Sequence, residues 1–106
     1  MSKYLDMALA LAKTSKCRYR HGCVVVSNGR VIATATNKKI ADPTTHWRRS
    51  HVHAEAAAAL AAGTRVKGAL VYVARAAADG SAAYSKPCKK CESYLERLGV
   101  ARVVWT

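Results

Sequence analysis

Phenylalanine is absent from this 106-residue chain, proline occurs twice, and acidic residues number six against 18 lysines and arginines. Long apolar runs are missing too. The longest, Ala56 to Ala62, is too short and too rich in alanine to span a bilayer. The first residues, Met1-Ser2-Lys3-Tyr4-Leu5-Asp6, lack a signal peptide's order of basic residues, apolar core and cleavage site. These absences predict neither a membrane protein nor a classically secreted one, and the expected location is cytoplasmic. What is present is globular in composition, with 51% hydrophobic and 23% charged residues. The length suits one small domain over residues 1–106. Alanine abundance is read as compositional bias without chemistry. The formal charge of +12 favours polyanions or phosphorylated small molecules, or else marks a solvated basic face.

The cysteines are Cys17, Cys23, Cys88 and Cys91. An even count invites a disulfide framework, but the absent signal sequence and the Cys-x-x-Cys spacing after Pro87 argue for metal or redox chemistry. Cys17 reads as a surface thiol and Cys23 as a small buried hydrophobe, with a bridge between them unneeded.

No internal repeat or linker interrupts the chain. Residues 3–16 are expected to be a helix capped by Ser2, with Tyr4, Ala8, Leu11 and Ser15 repeating on one face beside Leu5, Leu9 and Ala12. Residues 23–27 and 30–36 read as a hairpin around Asn28-Gly29, a two-residue turn that needs positive φ. Residues 37–52 form a long basic loop, 53–62 an alanine helix ended by Gly63, and 69–75 a strand buried on both faces. After a second loop over 76–87, residues 88–98 form a helix and 100–105 a last strand. The order α-β-β-α-β-α-β implies a mixed sheet with helices packed on it.

Two segments carry chemistry: His53-Ala54-Glu55 and Pro87-Cys88-Lys89-Lys90-Cys91, each opening a helix. Cys88 and Cys91, three apart, present two sulfurs on one helix face, and the helix N-terminus favours thiolate. Two thiolates and one neutral imidazole balance a zinc ion's charge and leave a fourth position open, the composition of a catalytic site. Glu55 sits where it can move a proton without ligating the metal. The bland alternatives are a structural zinc and a carboxylate that merely favours a helix start.

His-x-Glu followed by Pro-Cys-x-x-Cys resembles the zinc-dependent cytidine/deoxycytidylate deaminase superfamily. The resemblance extends over the hairpin Arg20 to Ile32, Asn37, His51 to Glu55, Ser85 to Cys91, and Leu98 to Trp105. It implies a three-layer α/β/α cytidine-deaminase-like fold with a mixed sheet. It implies that His53, Cys88 and Cys91 hold Zn2+ and that Glu55 shuttles protons while hydroxide attacks C4 of cytosine. Asn37 would hydrogen-bond the sugar or base. The N–H groups of Ala54 and Cys88 would lie beside the base carbonyl and the attacking water. Ser85 and Pro87, in the cysteine motif, are further candidate substrate contacts. The family usually continues with another helix and a fifth strand, whereas this sequence stops at Thr106. That implies a minimal version of the fold, a sheet edge that a homo-oligomer would hide, and a pocket completed by a partner subunit if not by the chain itself.

Other residues stay open. Trp47 beside His46 and Arg48-Arg49 either stacks on a base or packs its loop. His51 is a less favoured ligand, and His21 and His46 read as solvated or hydrogen-bonded. Tyr84 and Lys86 lie near the motif in sequence. Three functions follow: a deaminase of a free cytosine nucleoside or nucleotide such as deoxycytidine monophosphate, a deaminase of single-stranded DNA or RNA, and a non-catalytic zinc-stabilised nucleic-acid-binding module. Adenine and guanine are not excluded as bases, because pocket shape and not the zinc motif selects among them.

Overall fold

Ser2 opens the structure, its hydroxyl accepting the Leu5 N–H at 3.2 Å to cap helix α1, Lys3–Ala12. The computed structural model describes residues 2–40 and 50–106, with the side chains of residues 39, 40 and 50–52 outside the description. The elements that follow α1 are β1 Arg20–Ser27, β2 Arg30–Thr36, β3 Lys38–Ile40, β4 Ser50–Val52, α2 Ala54–Ala62, β5 Leu70–Ala76, β6 Ala82–Ala83, α3 Lys89–Arg97 and β7 Arg102–Trp105. A 3-10 turn over Gly63–Val66 leads out of α2.

Helix α1 is shorter than its apolar spacing suggested, ending at Ala12 and not at residue 16. The Thr14 hydroxyl donates to the Leu11 carbonyl at 2.6 Å, and Ser15 reaches across to Asn37. Short hydroxyl side chains of this kind compete with the helical ladder. The expected loop over 37–52 contains a two-stranded ladder, Lys38 opposite Val52 and Ile40 opposite Ser50. Its tip, with His46 and Trp47, lies outside the described residues. The loop over 76–87 likewise carries the short strand β6, paired with Arg75 and Ala76. Asp79 accepts from the Ser81 N–H and hydroxyl at 2.9 and 2.6 Å, building the turn before it.

The main sheet runs β2-β1-β5, and the far edge of β5 pairs with β7 in parallel and with β6 antiparallel. It is the mixed sheet expected. Asn28 and Gly29 adopt φ of 51° and 75°, the pair of left-handed residues that a two-residue hairpin turn needs. Strand alternation then sorts the apolar residues. Val24, Val26 and Ala74 face α1 through Ala8, while Cys23, Val25, Val71 and Val73 face the opposite layer with Ala54, Ala58, Ala62 and Leu95. The second helix is built of alanine, which lets its backbone approach the sheet closely.

Gly22 marks the tightest approach. A Cβ there would overlap the Ala8 carbonyl oxygen and lie 2.7 Å from the Ala12 nitrogen. Helix α1 therefore rests directly on strand β1 at the one residue that has no side chain. The close contact holds the chain leaving α1, residues 13–19, against the end of the sheet where α2 and α3 begin.

Candidate metal centre

His53 and Cys88 are the N-cap residues of α2 and α3, both with extended backbone, and neither uses its side chain to cap. Their side chains are thereby released toward one another. Cys91, in the first turn of α3, joins them. The donor atoms of His53, Cys88 and Cys91 all lie within 4.8 Å of one another. His53 Nδ1 is 3.1 Å from Cys91 Sγ and 3.7 Å from Cys88 Sγ. A tetrahedral zinc ion with bonds of about 2.3 Å to sulfur and about 2.0 Å to nitrogen separates such donors by about 3.5 Å. The two observed spacings bracket that value, so the residues fit zinc. Cys91 is buried and Cys88 exposed, which gives the site a closed side and an open one.

Glu55 follows on the first turn of α2 and is only 5% exposed. Its charge is felt by its neighbours. Burial pushes the Cys91 thiol up to about 12, with the Glu55 carboxylate and Cys88 adding to the rise. Burial also lifts the Cys23 thiol, again reinforced by Glu55 and Cys91. Metal ligation requires thiolate, so a cation at this site relieves the strain of concentrating negative charge there.

His53, Ala54, Glu55 and Cys88 open into a cavity of about 460 Å³. Its wall comes from Cys17, Arg18, Tyr19 and His21, together with Asn37, Ser85 and Lys86. Asn37 organises that wall. Its Oδ1 accepts from the Ser15 hydroxyl at 2.7 Å and the His21 N–H at 2.9 Å, and its Nδ2 donates to the Tyr19 carbonyl at 2.6 Å. The Cys17 thiol donates to the Asn37 carbonyl at 3.5 Å. Three hydrogen bonds of the carboxamide thus hold the segment after α1 in place at the cavity wall.

The candidate substrate contacts divide by geometry. Asn37, Ala54 and Ser85 line the cavity. Ser85 is buried, and its hydroxyl donates to the Val73 carbonyl at 3.0 Å and accepts from the Thr106 N–H at 3.0 Å. Those bonds tie the wall to β5 and the chain end. Pro87 is buried directly before Cys88, outside the cavity lining. Tyr84 is exposed and is likewise outside the lining. Trp47 lies outside the described residues, and so does the side chain of His51.

Sequence reasoning missed Cys17, Arg18, Tyr19 and His21 as wall residues. Cys17 is half-buried and not a plain surface thiol, and His21 is a half-buried residue of β1 facing the cavity. Their only signal was their position just before the hairpin, since the hydrogen bonds that place them come from Asn37, 16 to 22 residues along the chain. At the rim, the exposed Tyr19 ring lies 5.6 Å from the Arg18 guanidinium and 6.0 Å from that of Arg75.

The whole chain, residues 1–106, matches the family model described as the cytidine and deoxycytidylate deaminase zinc-binding region. Curated protein sequences give no match. Among solved structures, the chain is similar to RibD of Acinetobacter baumannii, with a TM-score of 0.70 and 25% identity, over 97% of this chain and 26% of that one. The chain therefore spans well under half of that protein. It is also similar to dCMP deaminase from the cyanophage S-TIM5, with a TM-score of 0.73 and 20% identity, over 99% of this chain and 84% of that one. Cytidine deaminase from Mycobacterium tuberculosis matches with a TM-score of 0.66 and 22% identity, over 97% of this chain and 80% of that one. The last two likenesses establish the fold.

Proposed function

This chain belongs to the cytidine and deoxycytidylate deaminase zinc-binding family, and on that premise we propose that it hydrolyses the exocyclic amine of cytosine in a free nucleoside or nucleotide, deoxycytidine monophosphate foremost. The products are the uracil compound and ammonia. One observation carries the reading: a clustered donor triad presents two of its members, His53 and Cys88, together with a buried carboxylate, to a cavity of about 460 Å³. That volume falls in the range of small-molecule sites, roughly 300–1,000 Å³.

Zinc, when bound, supplies the Lewis acid that makes water nucleophilic near neutral pH. The chain supplies the rest. Glu55, held on the rigid first turn of α2, takes a proton from the attacking water and delivers one to the departing amine. The C4–N bond breaks as the new C4–O bond is completed, and the amine leaves as ammonia. The buried wall behind Glu55 keeps bulk water from competing for those protons. Arg18 and Lys86, at the cavity wall, supply positive charge for a phosphate on the substrate.

A second reading, deamination within a single strand of DNA or RNA, is supported by the net charge of +12 and by the Tyr19 ring exposed between two guanidiniums. Aromatic platforms flanked by cations stack on successive bases. A product assay separates the two. Zinc-loaded protein is incubated with cytidine, deoxycytidine, their monophosphates, adenosine and single-stranded oligonucleotides, and mass spectrometry follows the amino-to-oxo change. We expect conversion of a monomer, with a fall of about 10²–10⁴-fold in Glu55→Ala that retains its zinc. Conversion of oligonucleotide alone, with affinity falling steeply in salt, favours the second reading. Undiminished turnover by Glu55→Ala contradicts the role of Glu55.

A further inference from the structure

Of the cavity groups, the imidazole of His21 has no part in the reaction as proposed. It lines the same cavity as Glu55 and His53. Its backbone is clamped on both sides of the peptide, the N–H donating to Asn37 Oδ1 at 2.9 Å and the carbonyl accepting from the Asn37 N–H at 3.3 Å. The ring is oriented as well. Its Nδ1 lies 3.4 Å from the Tyr19 carbonyl, an oxygen that can only accept. A hydrogen bond there takes the tautomer with its proton on Nδ1. Burial lowers the imidazole's proton affinity, with Arg75 and His53 acting the same way against the opposing pull of Glu55 and the Tyr19 carbonyl. A neutral ring protonated at Nδ1 holds Nε2 as a lone-pair acceptor. Among the described residues, nothing else hydrogen-bonds this ring.

We propose that His21 is a specificity-determining residue whose Nε2 accepts a hydrogen bond from a ring hydroxyl, 2′ or 3′, of the substrate's sugar. This rests on the reading of the cavity as a cytosine nucleoside or nucleotide site. The reacting carbon must lie against the donor triad and Glu55, which occupy the starts of α2 and α3. The sugar must then lie against the rest of the lining, to which Cys17, Arg18, Tyr19, His21 and Asn37 contribute. There, the Asn37 oxygen already accepts two hydrogen bonds. Of the remaining acceptors, the Tyr19 hydroxyl sits on an exposed ring, whereas the His21 ring is half-buried and oriented by the Tyr19 carbonyl. A hydroxyl is the donor a sugar carries.

The test compares wild type, His21→Leu and His21→Gln, all zinc-loaded. Leucine keeps the bulk and removes the acceptor, whereas glutamine places an acceptor near the Nε2 position. The ligands are cytidine, 2′-deoxycytidine and 2′,3′-dideoxycytidine, as nucleosides and 5′-monophosphates. We expect His21→Leu to raise KM about tenfold, with kcat little changed, for ligands bearing a ring hydroxyl. His21→Gln should restore most of the loss, and the penalty should vanish for the dideoxy ligands. A penalty of equal size for the dideoxy ligands, or none for any ligand, overturns the proposal. The same panel measured as dissociation constants on a Glu55→Ala background separates the two claims. Absence of turnover in wild type sinks the deaminase reading. A hydroxyl-dependent loss of binding in His21→Leu is read without any turnover.

Discussion

Among the residues that line the cavity, His21 carries a pH consequence. Burial, the largest influence, lowers its proton affinity below the ordinary value of 6.5. In the unfolded chain the imidazole returns to that value. Between the two, the unfolded state binds more protons, so stability is present above about pH 6.5 and is lost as pH falls through that window toward the native-state value. We expect urea midpoints measured from pH 7.5 to 5 to fall less steeply in His21→Leu than in wild type. Equal slopes would show that His21 titrates alike in both states. Single residues also set how legible the site was. His53, Glu55, Cys88 and Cys91 could be read because their spacing within a helix turn fixes their geometry locally. His21 and Cys17 could not, because Asn37, more than 15 residues away, holds the His21 N–H with its carboxamide and the Cys17 thiol with its main-chain carbonyl.

Elements follow the same division between local and distant causes. The hairpin is legible because Asn28-Gly29 accepts positive φ without help from the rest of the fold. The starts of α2 and α3 are legible because each motif places a ligand at the N-cap position and the next residues in the first turn. The end of α1 is not, since Ser15 leaves the helix for Asn37, a partner from the far end of β2. Strand β6 is not, since two alanines become a strand only beside Arg75 and Ala76. The packing of α1 on β1 supplies a sharp test. In Gly22→Ala, the new methyl meets helix backbone and not a flexible side chain. Overpacking of this kind costs about 1–3 kcal/mol or more. We expect a lower urea midpoint with an unchanged denaturant slope, and a looser cavity wall as α1 shifts. Wild-type stability in Gly22→Ala would mean that α1 does not sit on β1 as described.

At the scale of the whole molecule, the core is thin. Its largest fully buried side chains are Leu95, four valines and Cys23, with alanine filling most of the helix side. A domain of this size gains little from apolar burial beyond what chain ordering costs. The metal site joins α2 to α3 on one face of the sheet, so a bound ion crosslinks that layer. A ligand present at about 100 times its dissociation constant stabilises the native state by about 2.7 kcal/mol. With about 4–8 °C per kcal/mol for a small domain, chelation should lower Tm by roughly 10–20 °C. Differential scanning fluorimetry with and without chelator reads this directly, and an unchanged Tm would separate the metal from stability.

The central claim is that His53, Cys88 and Cys91 form a zinc site. Metal analysis of purified protein by inductively coupled plasma mass spectrometry, alongside Cys91→Ala, tests it most directly. The account predicts one zinc per chain in wild type and its loss in the variant. Wild-type protein that stays free of zinc when supplied with the ion, or Cys91→Ala that keeps a full equivalent, would contradict it.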